Sequence, residues 1–348
     1  MSARPVVALV FGGASPEHDV SLVSARGIFE RVDRGRWDVR LVGVDRGGQP
    51  RLGDESLLDG GLDRGEGIPV RWPACPADRT LREQDTGRVV TPPLDVAFPI
   101  IHGEHGEDGT LQGVFALAGV RCVGAGVLGS ALAMDKDRCR RMLAAAGIPV
   151  VEDVVLAGPR AADPDARRRA LERLGLPLFV KPARAGSSVG ISKVSAEGEL
   201  AAAIDAAQAV DRKVVLERAV PDAREIEVAV LDGDPPAASV CGEIVPHGEF
   251  YSYEAKYRDP ESKLLIPAPL DEDLAGRIRD MALRAFAELD LAGMARVDFL
   301  LSRTTGQLVL NEVNTLPGFT PISMYPRLWE ASGLPYPALL DRLIELAR

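Results

Sequence analysis

The sequence is poor in cysteine, and its 4 cysteines, Cys75, Cys122, Cys139 and Cys241, are scattered without a CxxC pair. That argues against a disulfide framework or a cysteine-built zinc site, and it fits a reducing cytoplasm. Positive charge is also in short supply: 41 Lys and Arg stand against 51 Asp and Glu, a net charge of −10. Such a balance does not suit a protein that coats the nucleic-acid backbone, although it allows a local basic pocket for a nucleotide. No long hydrophobic run crosses the chain. The most apolar stretch, residues 113–134, is interrupted by Arg121 and several glycines and reads as buried α/β structure. The opening MSARPVVALVFGG lacks the apolar core of a signal peptide. Internal repeats, low-complexity tracts and the GxxxxGK(S/T) signature of a Walker-type phosphate loop are absent too.

What is present is an ordinary globular composition, 46% hydrophobic and 26% charged over 348 residues, enough for two or three α/β units. Residues 6–11 are an apolar run ending in Gly12-Gly13, which predicts a buried parallel strand and a tight turn. A helix is expected over about residues 16–31, with Pro16 in its first turn. Further strands are expected at 39–44 and 96–101. Strand and helix alternating in this way predict a parallel, doubly wound sheet. Residues 46–93, rich in Gly, Pro, Asp and Arg, read as a variable excursion outside the core.

A second unit begins near Met134, with strands at 176–181 and 191–194 around a Gly/Ser loop and an alanine-rich helix at 197–208. The strand at 214–217 leads into a third unit. There, residues 246–268 read as a long loop. Residues 271–289 carry apolar side chains at helical spacing behind Asp271, which can cap the start of the helix. The expected divisions are 1–133, 134–216 and 217–348.

Gly124-Ala-Gly126-Val-Leu-Gly129 matches the GxGxxG of dinucleotide sites, but it does not follow the first strand, and a structural glycine turn is the better reading. A hairpin at residues 295–301 and 308–314 says more. Side chains alternate along a strand, so Arg296 and Asp298 share one face, and Glu312 and Asn314 share another. Antiparallel pairing brings two carboxylates and an amide oxygen together beside a guanidinium. These hard oxygen donors suit Mg²⁺ carrying nucleotide phosphates. Charge planted in strands as apolar as FLL and LVL is costly unless it binds something.

In Lys181-Pro-Ala-Arg-Ala-Gly-Ser-Ser-Val-Gly190 a strand delivers a lysine to a small-residue loop. Gly186, Ser187, Ser188 and Gly190 let backbone N–H groups approach phosphate, although the stretch also reads as a plain turn with a surface lysine. Glu217 and Glu225 bracket another turn and could accept from a purine amine and a ribose, or stand as surface glutamates. The loop His102-Gly-Glu-His105-Gly-Glu-Asp-Gly109 suits no common zinc pattern. Following a parallel strand, it sits where ligands meet such sheets.

Taken in order, these segments resemble the D-alanine–D-alanine ligases. Residues 10–21 (VFGGASPEHDVS) resemble the family's opening signature and residues 102–113 (HGEHGEDGTLQG) its second. Met134-Asp-Lys136, residues 181–191, Tyr253-Glu-Ala-Lys-Tyr257, Arg296-Val-Asp298 and Asn311-Glu-Val-Asn-Thr-Leu-Pro-Gly-Phe-Thr320 follow in family order. The resemblance spans nearly the whole chain except residues 46–93. Arg218 and Ala185 depart from side chains common among relatives.

The resemblance implies the ATP-grasp fold, an α/β fold of three domains with ATP between the central and C-terminal ones. It implies that Lys136, Lys181, Ser187, Ser188 and Lys256 serve the ATP phosphates, with Glu217 facing the adenine and Glu225 the ribose. Asp298, Glu312 and Asn314 would hold two Mg²⁺ ions, with Mn²⁺ as a substitute and a monovalent cation as a further candidate. Glu17 would receive the ammonium of the first D-alanine and join Ser187 and Tyr257 in ordering the loops, with His102 beside the substrate. Arg296 and the Gly318 N–H would stabilise an oxyanion, while Ser323 and the Met324 N–H would hold the second carboxylate. The implied reaction passes through a D-alanyl phosphate, shielded from water by the 246–268 loop. The segment YEAKY implies a dipeptide product over a depsipeptide. A cytoplasmic homodimer is the implied state.

Overall fold

A computed structural model describes residues 4–186, 189–245 and 263–347. Three separate sheets carry the described residues.

The first contains strands β1 (Val6–Gly12), β2 (Asp38–Val44), β3 (Pro50–Gly53), β4 (Ile68–Arg71), β5 (Arg82–Glu83), β6 (Val96–Pro99) and β7 (Arg121–Cys122), in the order β5-β4-β3-β2-β1-β6-β7. The four strands β2, β1, β6 and β7 are parallel. All seven residues of β1 are buried, as an unbroken apolar run in a sheet covered on both faces requires. Helix α1 (His18–Arg31) begins two residues after Pro16, with Glu17 at its N-cap.

Residues 46–93 correct the sequence reading: they are part of the core sheet, not an excursion from it. β3, β4 and β5 extend it antiparallel. A 3₁₀ helix (Glu55–Asp59) buries Leu57 and Leu58, and Leu62, Val70 and Leu81 are buried as well. Strands of two to four residues are too short to display alternation, and isolated leucines between turns leave no periodic trace.

The second sheet, ordered β10-β9-β11-β8, is antiparallel throughout: β8 (Asp153–Ala157), β9 (Leu178–Pro182), β10 (Ser192–Val194) and β11 (Lys213–Arg218). A division after residue 216 runs through β11. The third sheet, ordered β14-β13-β12-β15-β16, joins β12 (Ala223–Leu231), β13 (Ala237–Val245), β14 (Lys263–Leu265), β15 (Met294–Ser302) and β16 (Leu308–Asn314). β14 occupies the end of the expected 246–268 loop, and residues 246–262 lie outside the described residues.

The helix expected behind Asp271 is present as Glu272–Glu288, with the Asp271 carboxylate accepting from the Leu274 N–H at 2.8 Å. Its Ile278, Ala282, Ala285 and Phe286 pack against the third sheet. The first and last glycines of the GxGxxG serve the turn and the packing, while a Cβ on Gly126 would meet open space. Gly124 has φ +95°, and a Cβ on Gly129 would stand 2.9 Å from the Asp290 carbonyl, where the helix Val127–Met134 passes.

The last two helices, Met324–Ala331 and Tyr336–Glu345, share one core with the N-terminal sheet. Phe319 is its pin. Its ring meets Phe98 edge-on at 6.1 Å and packs on Tyr325 and Tyr336. Burial of such a ring contributes roughly 1.5–3 kcal/mol. Its backbone is fixed too: Phe319 N–H donates to Ser24 Oγ at 3.2 Å, and Tyr336 OH donates to its carbonyl at 2.8 Å. The loop before Met324 is thereby tied to α1. Among the described residues no helix is long and apolar enough to cross a membrane.

Candidate active site

The hairpin forms as its alternation requires. β15 and β16 pair with Asp298 opposite Glu312 and Arg296 opposite Asn314. All four side chains line one cleft, together with Glu17, His102, Lys136, Lys181, Glu225, Gly318, Ser323 and Met324. Within it, Arg296 grips Asp298 through two hydrogen bonds, Nε–H to Oδ1 at 2.8 Å and Nη2–H to Oδ2 at 2.7 Å. Burial works against the Arg296 charge, but Asp298 and then Glu227 outweigh it and hold the guanidinium well above its ordinary pKa. Two carboxylates and an amide facing one cleft are a hard-oxygen donor set, and they fit a divalent cation bound to phosphate.

The second sheet supplies the cations. Lys181, in β9, is buried and meets the Glu217 carboxylate at 2.6 Å. Glu217, in the neighbouring β11, stands behind the cleft and does not line it. Its other oxygen lies 2.7 Å from Arg140, a buried residue of the helix Lys136–Ala145 that also reaches Asp153 at 3.3 Å. Burial works against the Glu217 charge, yet Arg140 and Lys181 together hold its carboxyl below the ordinary range. Lys136 donates to the Ala185 carbonyl at 2.9 Å and stands 3.9 Å from Glu312. Burial lowers its pKa, and Glu312 only partly offsets that. Lys136 therefore links the 181–190 loop to the carboxylates of the third sheet.

The first sheet supplies the remaining wall. Glu17 is buried, and a Cβ on Gly103 or Gly186 would stand 2.9 or 2.8 Å from its Oε2. Loops of two sheets thus close on one carboxylate, and only glycine leaves room for it. His102 is buried; its Nδ1 lies 3.1 Å from the Leu316 carbonyl and 3.5 Å from Glu107. Burial disfavours the charged imidazole, but Glu107 and then Glu17 raise its pKa.

Gly318 faces Ser323, whose Oγ would lie 2.7 Å from an added Cβ. That hydroxyl accepts the Thr320 N–H at 3.0 Å, and Ser323 is the N-cap of the helix Met324–Ala331. Helix N-terminal N–H groups such as that of Met324 attract anions.

Ser187, Ser188, Lys256 and Tyr257 lie outside the described residues. The reading from sequence missed Glu227, Arg140 and Glu107. For Glu227 a signal existed: in Glu225-Ile-Glu227 the two carboxylates are two residues apart on one strand and must share a face. Arg140 left no such trace, since its partner Glu217 is far away in sequence.

Comparison with known proteins identifies the family. Residues 6–125 match the model for the D-ala D-ala ligase N-terminus, and residues 142–345 match that for the D-ala D-ala ligase C-terminus. A D-alanine–D-alanine ligase of Thermoanaerobacter sp. is 49% identical over 98% of this chain and 96% of its own length. D-alanine–D-alanine ligase A of Escherichia coli K12 is 45% identical over 98% of this chain and 95% of its own. Among solved structures, the VanG D-Ala:D-Ser ligase of Enterococcus faecalis superposes with a TM-score of 0.88 at 36% identity, covering 99% of both chains. The D-alanine–D-alanine ligase of Coxiella burnetii gives 0.86 at 36% identity, covering 99% of this chain and 93% of that one. The fold is that of the ATP-grasp class, and the enzyme is an ATP-dependent ligase. Within that class, the chain belongs to the D-alanine–D-alanine ligase family.

Proposed function

We propose that this cleft joins two D-alanines into D-alanyl-D-alanine through a D-alanyl phosphate, supplying the dipeptide for peptidoglycan synthesis. The reading rests on one observation above all: Glu17, Lys136, Lys181, Arg296, the Asp298–Glu312 pair and the Gly318–Ser323 turn meet in one cleft from three sheets.

A carboxylate is a poor electrophile, so the first D-alanine must be activated by phosphoryl transfer from ATP. Lys136 and Lys181, with Lys256, provide positive charge around the phosphates. Ser187 and Ser188 belong to the loop that approaches them, Glu225 takes the ribose, and Glu217, expected at the adenine, instead stands behind the cleft and holds Lys181. Asp298, Glu312 and Asn314 would hold two Mg²⁺ ions. Bound there, the ions would neutralise charge on the transferring phosphoryl group. Glu17 receives the first ammonium, with His102 beside it, and Ser187 and Tyr257 complete the hydrogen-bonded group that orders the loops. The second amine then attacks the acyl phosphate. Arg296 and the Gly318 N–H stabilise the oxyanion, and phosphate leaves. Ser323 and the Met324 N–H hold the second carboxylate at the helix end. A cytoplasmic homodimer completes the proposal, with light scattering on the purified protein as its test.

D-alanine-dependent ADP release, with L-alanine as control and the product identified by mass, tests the reaction. ADP formed only with D-alanine, together with the dipeptide mass, supports it. Folded protein that binds ATP yet releases no D-alanine-dependent ADP overturns the substrate assignment. The likeness to a D-Ala:D-Ser ligase makes D-serine the second amine to assay, with D-lactate beside it.

Gly318→Ala is expected to push the Ser323 hydroxyl off the Thr320 N–H, since 2.7 Å leaves no room for a methyl group. The KM for the second D-alanine should rise about tenfold, the cost of one misplaced hydrogen bond, with the KM for ATP unchanged. Initial rates at varied D-alanine and fixed ATP will show this, and equal effects on both KM values would refute it.

A further inference from the structure

Arg296 lies between two carboxylates that occupy adjacent strands. β12 pairs with β15 so that Glu227 stands directly opposite Asp298, and Asp298 in turn stands opposite Glu312. Glu227 Oε2 lies 3.0 Å from Arg296 Nε, and the Glu227 side chain is only 7% exposed.

The two carboxylates differ in what else is asked of them. In the reading above, Asp298 also serves the metal, so its oxygens are shared between a cation and the guanidinium. A shared ligand cannot by itself fix the guanidinium, because charge drawn towards one cation is withdrawn from the other. That reading gives Glu227 no metal to hold, and it approaches Arg296 from the neighbouring strand. Burying a carboxylate there is costly unless it holds a partner. We infer that Glu227 is a positioning residue that keeps Arg296 aimed at the reacting carbonyl while Asp298 is engaged elsewhere. The inference rests on the ligase reading, deepens it, and adds a residue to it.

Steady-state kinetics of full-length Glu227→Gln and Glu227→Asp, beside their thermal melts, test it. Glutamine keeps the shape and removes the charge. Glu227→Gln should lower kcat roughly 10- to 100-fold, as a misdirected catalytic group does, with the KM for ATP within about threefold of wild type. Glu227→Asp keeps the charge and should recover part of the loss. A Glu227→Gln enzyme with kcat within about threefold of wild type overturns the inference. So does one that changes only its melting temperature or its Mg²⁺ requirement. A crystal structure of Glu227→Gln with Mg²⁺ and a non-hydrolysable ATP analogue bound decides independently of turnover: Arg296 should leave its wild-type rotamer or divide between rotamers, and an unmoved Arg296 refutes the role. Wild-type protein without D-alanine-dependent turnover defeats the substrate reading alone, and the crystal structure still decides for Glu227.

Discussion

Asp298→Asn is expected to lower kcat by about a thousandfold, among the largest effects of any single substitution in the cleft. Two losses combine. The carboxylate faces Glu312 across β15 and β16, and replacing it with an amide removes half of the paired negative charge that suits a divalent cation. The same carboxylate accepts from both Nε and Nη2 of Arg296. An asparagine offers one oxygen, and its NH₂ opposes the other guanidinium donor. The cleft would therefore lose cation affinity and one of the two carboxylates that hold Arg296. Calorimetric titration of Mg²⁺ with a non-hydrolysable ATP analogue separates the two, because only the first weakens binding. A variant retaining kcat within about tenfold would remove Asp298 from the centre of the mechanism.

How far this site was legible from sequence depended on whether its parts lie close together in the chain. The β15–β16 hairpin could be read because both strands alternate and the turn between them is short. Charge at matching positions then had only one way to meet. The Asp271 cap was readable for the same reason, its partner Leu274 lying three residues on. Residues 46–93 were misread because short strands bury leucines singly, and composition spoke louder than pattern. Glu227 lay in plain sight beside Glu225, but only the pairing of β12 with β15 gives it an object, Arg296. Glu217 was noticed and its immediate surroundings were not. The bond to Lys181 arises from sheet pairing, and that to Arg140 from a helix laid against the sheet, neither of which a linear pattern encodes.

That buried group makes the second large prediction. Glu217→Gln leaves two cations, Arg140 and Lys181, facing a neutral amide that is almost wholly buried. Arg140 keeps Asp153 at 3.3 Å, but Asp153 is more exposed than Glu217 and offsets only part of the loss. Removing one partner of a buried ion pair costs about 3–5 kcal/mol. In a domain of this size that lowers the melting temperature by roughly 10 °C.

The effect should depend on pH with a definite sign. In the folded protein the Glu217 carboxyl is held below its ordinary 4.5, with burial opposing and Arg140 and Lys181 prevailing. A carboxyl depressed on folding contributes stability above its unfolded value, and the contribution is lost as pH falls through the folded value. The melting-temperature gap between wild type and Glu217→Gln should therefore be full at neutral pH and begin to narrow only on acidification below 4.5. Melts at a series of pH values will show it. A gap that widens on acidification would mean that Glu217 is protonated in the native state, and a gap under about 2 °C at neutral pH would mean that the two cations find other partners. Either result would also weaken the case that Lys181 is held in place for phosphate, because the Glu217 carboxylate 2.6 Å away is what orients it.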